Sequence, residues 1–193
     1  MKTLDQEDLY LLNNRSVFEK VHRLKSFFIS LFSDLSNELP SSELQTFHAA
    51  SLGIKISKGN ELQHCPYQVL DIIRDFNKEL GFNIRILNWW GRGLFIFVFL
   101  GKDNDKLIND LNFIFGMVFH GYLLAKTDSP WDYKGMIDKG NLESLSHTDQ
   151  LNDHLQQFHY IQLVKKIVYP EDYNLLKPLL KEQVLQILNF YKG

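Results

Sequence analysis

The chain has one cysteine, Cys65, so it can form no intrachain disulfide and no cysteine-cluster metal site. It has only five prolines, scattered near expected element boundaries, and no repeat, low-complexity tract or Pro/Gly-rich linker. Neither sign of charge is in excess: 21 Lys and Arg against 23 Asp and Glu leave a net charge of −2. Bulk electrostatics therefore argue against nucleic acid or anionic lipid as a partner. Long apolar runs are missing too. The longest, Leu94 to Leu100, falls well short of the ~20 residues of a membrane span. The first eight residues are acidic and lack the basic start and apolar stretch of a signal peptide, so a cytoplasmic location is expected.

What is present is apolar and aromatic. Of 193 residues 45% are hydrophobic, and there are 15 Phe, 8 Tyr and 3 Trp. That content and balance exclude disorder, and the length suits one domain over residues 1–193 that buries roughly 70% of its unfolded surface.

Periodicity divides that domain into blocks. In the N-terminal segment, residues 1–40, Val17, Val21, Leu24, Phe28, Leu31 and Leu35 hold one helix face from about Asn14 to Leu39, stopped by Pro40. A shorter helix over Asp5 to Leu12 precedes it. Residues 51–101 change period. Leu52, Ile54 and Ile56 alternate with polar residues in a strand closed by Lys58-Gly59-Asn60. Tyr67 to Ile73, then Phe82 to Ile86, give two more strands. Leu94 to Leu100 is apolar on both faces, which suggests a central strand covered on two sides. Gly91-Arg92-Gly93 before it reads as a tight hairpin turn.

A central helix is expected over residues 103–126, capped by Asp103 or Asn104 and apolar nearly all round after its first turns, hence a core or dimer-interface helix. It would carry His120 as a buried, hydrogen-bonded histidine. In 142–193, Ser146 can cap a short helix through Leu151, Leu155 and Phe158. His159 to Val168 reads as a fifth strand or as helix, and a final helix runs from about Asp172 to Phe190, with Pro178 in or near its first turn. Helices around closely spaced strands predict an α+β fold: a mostly antiparallel sheet of four to five strands flanked by N-terminal, central and C-terminal helices.

Chemistry-bearing groups are sparse. Asn88-Trp89-Trp90-Gly91-Arg92-Gly93 is the most unusual string. Two indoles beside an arginine could form a stacking platform, but alternation places one indole in the core and the other at the rim. Asp71 and Asp75 could act as an acid–base pair. A structural ion pair with Arg74, or with Arg85 on the neighbouring strand, is the simpler reading. His64 and Cys65 are adjacent in sequence, unlike a catalytic pair drawn from separate elements. His147, His154 and His159 match no compact metal motif, so no metal and no cofactor are expected.

Three strings, Lys55-Ile56-Ser57-Lys58-Gly59-Asn60, Pro66-Tyr67-Gln68-Val69-Leu70-Asp71 and Trp89-Trp90-Gly91, carry a resemblance. Over roughly residues 51 to 101 the chain resembles an uncharacterised family of small cytoplasmic bacterial proteins, chiefly from Bacteroidetes. The resemblance implies no catalytic residues. The first expectation is a non-enzymatic binding or protein-interaction module, with a homodimer and a small-molecule ligand as partners. The alternative is a small-molecule enzyme with a pocket near the Trp89/Trp90 hairpin, using Asp71, Arg74 and Arg85, with His64 as acid or base.

Overall fold

The computed structural model describes residues 3–39, 41–104, 119–144 and 149–192. Three helices come first: α1 (Gln6–Asn13), α2 (Arg15–Asn37) and α3 (Ser41–Phe47). Four strands follow: β1 (Lys55–Leu62), β2 (Cys65–Ile72), β3 (Phe82–Trp89) and β4 (Gly93–Gly101). Then come β5 (Leu123–Ala125), a π-helical turn (Lys134–Asp138), β6 (Leu142–Ser144), α4 (Asp149–Phe158), β7 (Tyr160–Ile167), a 3-10 turn (Tyr173–Leu175) and α5 (Leu176–Lys192).

The strands form one open antiparallel sheet in the order β1-β2-β3-β4-β7-β5-β6. The α+β class and antiparallel pairing agree with the sequence reading, but the sheet has seven strands instead of four to five. The two extra strands, β5 and β6, are three residues long, too short to show a period-2 pattern. β4 is central as expected, paired with β3 on one side and β7 on the other, and all but its first residue are buried.

Alternation sorts the sheet into two faces. Leu70, Ile72, Ile84, Ile86, Leu94, Ile96, Val98, Ile161 and Leu163 face α2 and α5, where Phe32, Leu35, Leu180, Val184 and Leu188 complete the larger core. Val69, Leu87, Trp89, Phe95, Phe97 and Val164 face the other way, onto Ala125, Tyr133 and Met136 of the 125–142 segment. Each such side chain contributes roughly 1.5–3 kcal/mol when taken fully out of water. Glu38 joins α2 to α5 by accepting from Lys177 at 2.8 Å and from Lys181 at 2.7 Å. These two lysines, hydrogen-bonded to its carboxylate, hold it down at about 2.

Several boundaries differ from the periodicity. Lys58-Gly59-Asn60 lies inside β1, because Gly59 leaves room for the Tyr67 ring opposite: a Cβ there would come within 2.5 Å of it. The reversal falls instead at Gln63 and His64, both in the left-handed region at φ 49° and 66°. Most of the expected central helix lies outside the described residues, but its end is corrected. Gly121 turns the chain at φ 79°, and Leu123–Ala125 pairs as a strand with β7. His120 is exposed in that turn, not buried. The expected Ser146 cap lies outside the described residues, as does His147. The ambiguous 159–168 segment is strand. Pro178 is the third residue of α5, where an N–H has no helical acceptor. The helix α3 was not expected from the sequence at all.

Candidate functional site

The β2–β3 register puts Asp71 directly opposite Arg85 on the face that carries the 125–142 segment. Arg85 Nε donates to Asp71 Oδ1 at 2.6 Å and Nη2 donates to Oδ2 at 2.9 Å, a bidentate fork. Nη1 donates to the Tyr133 hydroxyl. The guanidinium carbon lies 4.4 Å from the centre of the Trp131 ring and 5.4 Å from that of Phe76, and those two rings are 4.6 Å apart. Burial opposes the charge on Arg85, but the bonds to Asp71 and the Tyr133 oxygen outweigh it, so the guanidinium titrates above its ordinary value. Burial also raises the Tyr133 hydroxyl, which stays protonated. Aromatic rings thus close over a carboxylate and a guanidinium that already saturate each other. Asp75 is not part of this pair. It accepts from His48 Nε2 at 2.7 Å, and the Tyr191 hydroxyl bonds to His48 Nδ1 at 3.1 Å.

The two indoles at the end of β3 diverge as alternation requires. Trp89 is fully buried on the Asp71 face, its Nε1 donating to the Leu62 carbonyl at 2.9 Å. Trp90 goes to the helical face, where its Nε1 donates to Gln68 Oε1 at 3.0 Å. The same oxygen accepts from Asn88 Nδ2 at 2.7 Å, and Asn88 Oδ1 accepts from the Tyr169 hydroxyl at 2.6 Å. Burial pushes the Tyr169 hydroxyl up to about 12, so it remains a donor at neutral pH. This chain of bonds ties β2, β3, the hairpin turn and the segment after β7 together.

Beside that network opens a cleft of about 700 Å³. Leu24, Phe27 and Phe28 of α2 form one wall. Ile167, Val168, Tyr169 and Pro170 form the second, Tyr173 and Leu176 the third, and Trp90 with the hairpin turn closes the end. The lining is overwhelmingly apolar, and edge-to-face pairs Phe27–Phe28, Phe27–Tyr173 and Phe28–Tyr169 stiffen it. Arg92 belongs to the rim: it pairs with Asp138 at 2.6 Å and lies over Trp89. On the other side of α2 a polar cleft of about 710 Å³ runs along β1, lined by Lys25, Lys58, Asn60, Gln68 and serines of α2.

The structure therefore brings Asp71 and Arg85 together and separates them from Trp90 by the thickness of the sheet. Arg74 lies past the end of β2, and His64 is exposed in the β1–β2 turn. Sequence reasoning missed Phe76, Tyr133 and Tyr169. They come from loops with no periodicity, as does Trp131. Among the described residues no group of three or more His, Cys, Asp or Glu is placed to hold a metal ion, and no helix is long and apolar enough to cross a membrane. Compared with protein-family models, with curated proteins and with solved structures, the chain matches none.

Proposed function

We propose that the protein is a non-enzymatic binding module whose cleft beside Trp90 receives a small, largely apolar molecule. The observation that supports this reading is the pairing of an open apolar cleft with a rigid polar floor. Its volume lies within the roughly 300–1,000 Å³ range of small-ligand sites, and such sites combine apolar walls with a few fixed polar groups. Here those groups are Asn88 and the Tyr169 hydroxyl, and the indole of Trp90 is held by its bond to Gln68 before any ligand arrives. A pre-set wall reduces the ordering cost of binding. The charged side chains on the cleft are Arg92, which pairs with Asp138, and Lys166, and the Asp71–Arg85 pair faces away from it.

Titration with 1-anilinonaphthalene-8-sulfonate, then displacement by neutral 2-naphthol and by alkanoic acids of eight to sixteen carbons, tests the reading. The expected result is saturable one-to-one binding that quenches tryptophan emission, with most of the quenching lost in Trp90→Phe. Val168 is 82% exposed at the cleft edge, so Val168→Glu should fold normally and weaken binding tenfold or more. Binding that ignores both substitutions, or no saturable binding at all, would overturn the assignment.

A further inference from the structure

Residues 3–24 form an arm that the other described residues leave uncovered. No residue of α1 is buried, and none of residues 15–24 of α2 is buried either. An eight-residue helix is too short to persist alone in water, even with the capping box that Asp5 and Asp8 form. Leu9, Tyr10, Leu11 and Leu12 follow one another around its second turn at about 100° each, so that turn is apolar on every side. They are between 48% and 71% exposed. A helix of that character is normally enclosed.

Charge says by what. The start of α1 carries Asp5, Glu7 and Asp8 and no base. The first half of α2 carries Arg15, Lys20, Arg23 and Lys25 against one acid, Glu19; Arg15 engages Glu19 at 2.7 Å and Lys25 donates to Asn60 Oδ1 at 2.8 Å, which leaves Lys20 and Arg23 as the outward charges. The arm is thus acidic at its tip and basic along its stem, which makes it complementary to itself. We propose that the arm is a self-association surface: α1 of one copy lies along the basic stem of α2 in a second copy, and the reverse contact forms by two-fold symmetry. Such an isologous contact closes on itself and matches acid with base twice. Leu4, Leu9, Tyr10, Leu11, Leu12 and Phe18 are all between 48% and 71% exposed, and the side chains among them that face the second copy would be covered by it. The proposal does not rest on the cleft beside Trp90, although Leu24 of α2 borders both surfaces.

Sedimentation velocity of the full chain between 1 and 100 µM tests this, with dimer mass expected at the upper end. Glu7→Lys with Asp8→Lys makes tip and stem both basic, and Lys20→Glu with Arg23→Glu makes both acidic, so each double variant alone should be a monomer. Mixed one to one, the two should form a heterodimer, because both of its contacts then pair opposite signs. That rescue also shows that the variants fold. Leu9→Glu with Leu12→Glu should abolish the dimer without rescue by either charge variant. A monomer at 100 µM, a dimer indifferent to all three double variants, or failure of the mixture to associate would overturn the proposal.

Discussion

Asp71 and Arg85 face each other across β2 and β3 and close two hydrogen bonds in a site where their side chains are only 7% and 13% exposed. Taking two charges out of water costs several kcal/mol per ion, which their attraction offsets only if every remaining donor finds a partner. Here the third direction of the fork goes to Tyr133, and the faces of the guanidinium meet Trp131 and Phe76. The pair therefore locks the β2–β3 register and anchors the 125–142 segment against the sheet.

Breaking that pair from one side is the expensive change. Asp71→Asn leaves a buried guanidinium without its counter-charge, and the expected loss is about 3–5 kcal/mol of stability. Arg85→Lys should also destabilise, because a single ammonium cannot reproduce the fork or the stack on Trp131. Replacing both, Asp71→Leu with Arg85→Leu, should be milder than Asp71→Asn alone, since no unpaired charge remains. Urea unfolding midpoints check the order. A loss of less than about 0.5 kcal/mol in Asp71→Asn, the range of an ordinary surface change, contradicts it.

A second prediction concerns acid. His154 is 5% exposed, its Nε2–H donates to the Tyr160 carbonyl at 3.1 Å, and among the described residues its Nδ1 has no hydrogen-bond partner. The buried ring is therefore neutral with its proton on Nε2, and burial lowers its pKa from 6.5 to about 4. In the unfolded chain the ring takes up its proton near 6.5, and in the folded chain only near 4. The unfolded state thus binds more protons between those values, and stability falls as pH drops from about 6.5 to about 4, by at most about 1.4 kcal/mol per pH unit. Denaturant unfolding of the native chain and of His154→Gln over this window should show a steeper acid loss for the native chain. Parallel curves would refute the assignment.

How much of this was legible in the sequence depends on how local each signal is. The central strand β4 declared itself because a residue covered on both faces must be apolar wherever it points. Trp89 and Trp90 diverged because alternation leaves no choice. Asp71 and Arg85 could be named as partners once two strands were read as neighbours. Strand β1 misled because Lys58-Gly59-Asn60 has turn composition, whereas its glycine answers to the Tyr67 ring across the ladder, a contact that no local pattern contains. The real turn uses Gln63 and His64, whose left-handed backbone is set by the β1–β2 pairing and not by residue type. Apolar residues at 119–125 fit a helix, yet Gly121 was a visible breaker and Leu123 and Leu124 found β7 instead. The cleft was the least legible feature. Its walls come from α2, the β3–β4 turn and the segment after β7, which meet only through the fold.

The bend after β2 gives a third prediction, on the residue whose role the sequence left open. Ile73 and Arg74 are both left-handed, at φ 76° and 60°, a conformation that costs a residue with a side chain about 1–2 kcal/mol. The bend is held from both sides. The Ile73 carbonyl accepts from the Leu52 N–H at 2.8 Å and from the Ser51 hydroxyl at 3.3 Å, and the Arg74 N–H donates to Asn83 Oδ1 at 3.2 Å. Arg74→Gly removes the strain, and after the entropy that glycine loses on folding it should stabilise by up to about 1 kcal/mol. Arg74→Ala keeps the strain and should be neutral or slightly destabilising. For a chain of this length 1 kcal/mol corresponds to roughly 2–4 °C in Tm. If Arg74 serves only the bend, the glycine variant melts higher than the alanine variant and retains ligand binding in the cleft. Should both variants instead lose stability equally, the guanidinium itself holds the structure, and the backbone argument is wrong.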